Sequence, residues 1–492
     1  MATIAKPASA AVATCPILIN GERRESAGRT EVQINPSTGQ PSSIVPYCTP
    51  EEISEAIGAA QEAFSLWSAM PVLNRARILF HYHAILEKNA DRIIALNTEE
   101  NGKTRSESQG SFQRGLECVE FACGAPTLLM GETADHVGGD VDTISVRAPI
   151  GVCAGITPFN FPFMVPLWMF PLAIACGNTI VMKPSPAVPR STVLAVELLY
   201  EAGLPAGVVN VVHGAKDAVD AILNDPRVKA VSFVGSSAVA RYIYKTAAAN
   251  GKRVQALGGA KNHSIVMPDC DMKLAVDSVL ASSFGCAGER CVATSVVVAV
   301  GEAGDTFIAE LKKSVDKMRV APGDEPGADM GPVITPEARK RIVGYIESGE
   351  KEGAKLVRDG RQDACNSLDG FFLGPTIFDH VKPEMKIARE EIFGPVLSVV
   401  RANDLDQALE IVNSTEQGNA SSIYTRSGAA AKKYAATVQT GMVGVNLGVP
   451  APVAIFPFAG WKASFFGDAH ALGKDGVRFY TETKVITARW PE

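Results

Sequence analysis

Val228-Lys229-Ala230-Val231-Ser232-Phe233-Val234-Gly235-Ser236 is an apolar, β-branched run that stops at a glycine–serine turn. It is too short for a helix of its own and reads as a buried strand. A helical pattern follows from about Ala238 to Asn250. Three earlier runs repeat the plan: Val152 to Ile156, Thr179 to Met182 ending at Lys183-Pro184-Ser185, and Val208 to Val212 ending at His213-Gly214. Strands spaced by helices form a parallel sheet, and ligands bind such sheets beyond the carboxyl ends of the strands. Lys183, Gly235 and Ser236 fall at those ends. Taken alone, the Gly235 turn fits a plain strand-to-helix connection as well as a phosphate cradle. In the cradle, free helix N–H groups and the helix dipole hold the anion. Lys183 alone fits a solvated lysine.

Outward from this core, Ile17 to Pro36 reads as short strands with a turn at Asn20-Gly21. Pro50 to Gln109 reads as helices, and Ser111 to Met130 as a further helix carrying Arg114. Thr133 to Arg147 reads as a β-ribbon. A second α/β unit runs from about Lys261 to Lys462, and a last strand covers Lys484 to Thr487. A chain of 492 residues exceeds one ordinary core, so two or three domains are expected. With 46% apolar and 20% charged residues it has the composition of a globular protein. Its formal charge of −6 argues against general nucleic-acid binding, which needs a basic surface. The longest apolar stretch, Phe159 to Cys176, carries three prolines and Asn160, which argues against a membrane span. Met1 to Ala13 lacks the charged start and apolar core of a signal peptide. The 10 cysteines are scattered and form no disulfide framework, so reduced thiols in the cytoplasm are expected. Their spacing is not that of a zinc site, and no metal is expected.

Gly285-Cys286-Ala287-Gly288-Glu289-Arg290-Cys291 carries the chemistry. A thiol attacks as the thiolate, and an adjoining arginine favours that anion. Glycines let a substrate approach closely. Arg290 therefore reads as a tuner of the Cys291 thiol. Cys286, five residues earlier, reads as a small buried residue or as a disulfide partner on oxidation. In Thr157-Pro158-Phe159-Asn160-Phe161-Pro162 an amide sits among aromatics and prolines just after a strand. Asn160 reads either as a turn or capping residue or as a rigid donor to an oxyanion.

Together, PFNFP (158–162), KPS (183–185), FVGS (233–236), LGG (257–259), GERC (288–291), EEIFGP (390–395) and FYTETK (479–484) resemble the aldehyde dehydrogenase superfamily. The likeness runs from about Ile17 to Trp490. The stretches GITPFNFPFMVPLWMFPLAIACGNT and GKRVQALGGAKNH are similar to its CoA-acylating branch, which acts on malonate and methylmalonate semialdehydes. This resemblance implies an α/β fold. A Rossmann-type NAD domain covers 1–124 and 148–259, an α/β catalytic domain covers 260–463, and a small β oligomerisation extension covers 125–147 and 464–492. It implies Cys291 as nucleophile, with Asn160 and the Cys291 backbone N–H holding the oxyanion. NAD would lie along Ile156, Thr157, Phe159, Lys183, Gly235, Ser236, Gly258, Glu391 and Phe393. Arg114 and Arg290 would grip the substrate carboxylate, and the assembly would be a homotetramer, a dimer of dimers. The implied reaction is oxidation of a semialdehyde with decarboxylation and acyl transfer to coenzyme A. The alternative is a hydrolytic aldehyde dehydrogenase using NAD or NADP on another small or anionic aldehyde. Two departures bear on the choice. Ala256 stands where hydrolytic relatives carry a glutamate base, which favours coenzyme A over water. Pro186 stands where the branch has a glutamate for the adenosine ribose, which leaves NADP open.

Overall fold

The apolar runs become neighbouring strands. Val152–Ile156, Thr179–Lys183, Val209–Val211, Val228–Val234 and Arg253–Leu257 pair in parallel, in the spatial order third, second, first, fourth, fifth. The order reverses between Val152–Ile156 and Val228–Val234, which opens a crevice at their carboxyl ends. This is the Rossmann-type arrangement. Ile17–Ile19 and Glu22–Arg24 extend one edge antiparallel, and Phe465–Gly467 extends the other. The structure, a computed structural model, describes residues 12–490, so the signal-peptide reading of Met1 to Ala13 lies almost wholly outside the described residues.

Helices cover both faces of this sheet. Pro50–Ala69 starts where its sequence says it should. The Thr49 side chain accepts from Glu52 N, Glu52 reaches back to Thr49 N, and Pro50 occupies the first turn, where its missing N–H costs nothing. Thr104 and Glu107 make the same reciprocal cap for Arg105–Cys123. That helix starts six residues before the expected Ser111, because Thr-x-x-Glu sets its origin. The apolar stretch after Asn160 folds as Met164–Ala175, a helix buried on nearly every side within the first unit. No helix among the described residues is long and apolar enough to cross a membrane.

The second unit has its own sheet, ordered Lys355–Arg358, Thr376–Asp379, Val396–Ala402, Thr294–Val300, Asn262–Val266, Ala420–Tyr424, Met442–Val445. All pairings are parallel except the first. Thr294–Val300 (TSVVVAV) lies between two neighbours and is almost wholly buried, as a strand covered on both faces must be. A three-stranded antiparallel sheet of Thr133–Ala134, Val141–Pro149 and Thr481–Arg489 stands apart from both.

One boundary differs from the expectation. Residues 464–480 do not join that small sheet. Phe465–Gly467 pairs with Arg253–Leu257, and the helix Gly473–Phe479 packs against Met164–Ala175. Phe479 and Tyr480 are buried in the first unit's core, so burial, not sequence position, decides where this segment belongs.

Candidate active site

The nucleophile candidate lies where the two units meet. Helix Met272–Phe284 ends at a tight turn, Gly285–Gly288, in which Cys286 and Ala287 both take left-handed backbone angles (φ 50° and 52°). Such angles are costly for side chains with a Cβ and gather at functional loops. The turn delivers Cys291 just before strand Thr294–Val300. Two buried amides, Asn262 Nδ2 and Asn419 Nδ2, each donate to the Cys291 carbonyl at 2.8 Å. The first unit supplies Asn160 from the loop after strand Val152–Ile156, and its Nδ2 donates to Glu289 O at 2.8 Å. The Asn160 amide and the cysteine loop are thus held against each other across the junction.

Cys291 opens on a cavity of about 360 Å³ whose walls include Arg114, Arg290, Phe161, Met164, Trp168, Val292 and Phe458. Both arginines predicted for a carboxylate therefore reach one cavity with the thiol. Arg114 donates to Glu117, Ala451 O and Pro452 O, which ties the 447–458 loop over the cavity. Arg290 donates through Nε to Cys286 Sγ (3.2 Å), through Nη1 to Ala281 O and through Nη2 to Glu107 Oε1 (3.3 Å). Each guanidinium keeps N–H donors spare.

The Arg290 charge lowers the Cys291 pKa, as the sequence reading expects, but it is the smallest of the influences on that thiol. The hydrogen bond from Arg290 to sulfur goes to Cys286. Burial, helped by the Glu391 charge, pushes the Cys291 thiol up to about 12. Cys286 is a free thiol, as are the other nine cysteines.

The position facing the thiol is corrected. Side chains alternate along a strand. Ala256 packs on the outer face with Ile156 and Phe233, whereas Leu257 packs in the cluster that includes Cys291 and Val292. Leu257, not Ala256, stands on the thiol's side of the sheet. Either way the position carries no carboxylate.

Several of the remaining predicted residues lie at the carboxyl ends of the first sheet's strands. Thr157 follows Ile156 at the strand end, and its Oγ1 is buried without a partner. Lys183 is buried, with Nζ donating to Pro184 O and Gly214 O, and burial lowers its pKa to about 8. Gly235 and Ser236 lead into helix Ser237–Ala249, whose first turn has no side-chain cap. From the second unit, Phe393 (φ 52°) sets its ring edge-on to Phe159 at 5.8 Å. Glu391 Oε1 accepts from Ala260 N at 2.9 Å, and burial raises its pKa. A Cβ at Gly259 would fall 2.3 Å from Glu391 Oε2, so a larger residue there would push the Glu391 carboxyl aside. Gly258 N donates to Ser464 O. An uncapped helix terminus, an unpartnered hydroxyl, a lysine and two aromatic rings on one crevice suit a dinucleotide.

Sequence reading missed Lys103, Glu107, Glu289, Asn262 and Asn419. Lys103 Nζ donates to Asn160 O at 2.5 Å. The carboxyl of the buried Glu289 accepts from Ile334 N, and burial pushes its pKa up to about 8. Only Glu107 had a readable signal, as the fourth residue of the Thr104 capping box. Among the described residues no cluster of His, Cys, Asp or Glu is arranged to hold a metal.

Residues 23–486 match the aldehyde dehydrogenase family. A malonate-semialdehyde dehydrogenase of Geobacillus kaustophilus (strain HTA426) is 55% identical over 465 residues, which is 94% of this chain and 96% of that protein. The crystal structure of methylmalonate-semialdehyde dehydrogenase from Oceanimonas doudoroffii has a TM-score of 0.96 at 51% identity, covering 98% of this chain and 99% of that one. A protein of Sinorhizobium meliloti 1021 crystallised with NAD has a TM-score of 0.97 at 45% identity, covering 99% of each chain. Fold, crevice, cysteine loop and relatives agree: the chain belongs to the aldehyde dehydrogenase family.

Proposed function

We propose that the chain oxidises malonate or methylmalonate semialdehyde and passes the acyl group to coenzyme A. The observation that carries this reading is the single cavity in which the Cys291 thiol faces Arg114 and Arg290. Guanidinium pairs with carboxylate through charge-assisted hydrogen bonds, and two such groups beside a thiol suit an aldehyde with a carboxylate at its far end. Similarity to the Geobacillus and Oceanimonas enzymes supports the same substrate class.

The residues act in order. Cys291 loses its proton and its sulfur adds to the aldehyde carbon, giving a tetrahedral thiohemiacetal oxyanion. The Asn160 amide and the Cys291 backbone N–H hold that oxygen, a type of contact worth about 10²–10³ in rate. NAD, when bound, supplies the hydride acceptor. Ile156, Thr157, Phe159, Lys183, Gly235, Ser236, Gly258, Glu391 and Phe393 would hold it. As hydride leaves the former aldehyde carbon, the C=O bond re-forms and Cys291 carries a thioester. The carboxylate now lies β to a carbonyl, so its C–C bond can break to release carbon dioxide and leave a stabilised enolate. A proton then completes the acetyl or propionyl thioester. Leu257 offers no base to activate water, whereas a thiol acceptor is already partly ionised and more nucleophilic. The acyl group therefore passes to coenzyme A, and Cys291 regains its proton.

Ten free cysteines suit a reducing cytoplasm. The free edges of Met442–Val445 and of the three-stranded sheet suit a homotetramer.

The test measures reduced cofactor and acyl product together, with each semialdehyde and with propanal, with NAD or NADP, with and without coenzyme A. Acetyl-CoA from malonate semialdehyde, dependent on coenzyme A, is expected. Arg114→Leu should raise KM for the semialdehyde by about 10–100-fold and leave propanal nearly unchanged. Free acid formed equally fast without coenzyme A would refute the reading. Turnover with NADP would extend it, since Pro186 puts no carboxylate where a 2′-phosphate would sit.

A further inference from the structure

We infer that Lys103 is a positioning residue for the reaction: its buried ammonium fixes the peptide of Asn160 so that the Asn160 amide is aimed at the oxyanion. The inference rests on the reading of Asn160 as an oxyanion donor.

Lys103 lies in the turn Asn101–Thr104 between helices Ala90–Asn101 and Arg105–Cys123. Only 2% of it is exposed. Gly102 closes the first helix with φ 85°. The turn is wrapped from outside: a Cβ at Gly331 would fall 2.1 Å from Gly102 O, and one at Gly323 would fall 2.2 Å from Lys103 O. It cannot shift without displacing that wrapping.

From this fixed base the turn grips three successive residues. Asn101 Nδ2 donates to Phe159 O at 3.0 Å. Lys103 Nζ donates to Asn160 O at 2.5 Å. The same ammonium lies 4.0 Å from the centre of the Phe161 ring. The Asn160 side chain then donates to Glu289 O at 2.8 Å, two residues before Cys291. The chain of contacts thus runs from a rigid turn, through the peptide of Asn160, to its amide and the cysteine loop.

A buried cation is expensive, and burial lowers the lysine's pKa. The Cys286 thiol, Glu107 and Glu289 are the acidic groups near it, with Arg290 a like charge. A methionine would fill the same space without that cost. What the ammonium adds is one strong bond to one carbonyl, in the peptide that carries the candidate donor. Oxyanion donors work only when aimed within a few tenths of an ångström of the developing charge.

A double-mutant cycle tests the inference. Lys103→Met should lower kcat for reduced-cofactor formation by about 10–100-fold, less than or equal to the loss from removing the donor itself. KM and the rate of Cys291 alkylation by iodoacetamide should stay within about twofold, since neither uses the oxyanion. In an Asn160→Ala background the same substitution should cost less than about twofold. Equal fold losses in both backgrounds, or no loss in either, would overturn the inference and leave the role of Asn160 intact. An unchanged kcat for Asn160→Ala alone would overturn the oxyanion reading and the inference with it. If thermal melting shows that Lys103→Met does not fold, Asn101→Ala decides, because it frees Phe159 O without removing a charge. A loss that disappears with Asn160→Ala supports the inference, and additive losses refute it.

Discussion

Arg290 precedes Cys291 in sequence, yet its Nε donates to Cys286 Sγ and its Nη2 to Glu107. The left-handed angles at Cys286 and Ala287 fold the loop back and bring Cys286 under the guanidinium. Nothing in composition announces such angles. Cys291 and Asn160 were legible because each is a reactive type in an unusual local setting. Asn262 and Asn419 were not, because they lie 29 and 128 residues from the carbonyl they hold, and asparagine is common at strand ends. The burial of Cys291 has a direct consequence. A thiol whose pKa is raised has less thiolate at any given pH, and the fraction keeps climbing until the pKa is reached. With a value of about 12, alkylation of Cys291 in the ligand-free enzyme should rise about tenfold per pH unit from about pH 7 to pH 10. A plateau by about pH 8.5, read by peptide mapping after iodoacetamide, would show an activated thiol instead.

At the level of elements, four of the five parallel strands are readable as apolar runs separated by helical patterns, whereas Arg253–Leu257 and the spatial order of the strands come from the structure. Which side of a strand a residue faces depends on register, and one position reverses it. Hence Ala256, matched by motif to a base, belongs to the outer core, and Leu257 belongs to the thiol's side. The two positions predict opposite outcomes. Leu257→Glu puts a carboxylate on the thiol's side of the sheet and should raise acid formation without coenzyme A by about 10²-fold. Ala256→Glu buries an unpaired charge among Ile156 and Phe233 and should cost about 3–5 kcal/mol, seen as a large fall in melting temperature. The reverse pattern would restore Ala256 as the base position. The helix end at Cys123 and the start at Arg105 were likewise missed by pattern and set by caps and turns.

The described residues form two units, each built on a mainly parallel sheet, that meet at the Cys291 loop, with a small sheet standing apart. Sequence resemblance assigns residues 464–492 to the small sheet. It misplaces residues 464–480, whose burial against Met164–Ala175 and pairing with Arg253–Leu257 no local pattern foretells. The last strand exposes Val485 (62%) and Ile486 (45%), and Met442–Val445 exposes Val443 and Val445 at a free edge. An edge of this kind invites a strand from another copy. The double substitution Val485→Glu, Ile486→Lys should lower the mass measured by light scattering below that of the unsubstituted protein. An unchanged mass would remove this sheet from the assembly.

In the proposed reaction, oxidation leaves an acyl group on Cys291 that waits for coenzyme A. The most direct test is mass mapping of the Cys291 peptide after incubation with malonate semialdehyde and NAD, quenched before coenzyme A is added. An acetyl thioester on Cys291 is expected, one for each reduced cofactor in the burst, discharged as acetyl-CoA when coenzyme A is supplied. An unmodified Cys291 with steady production of free acid would contradict that reaction.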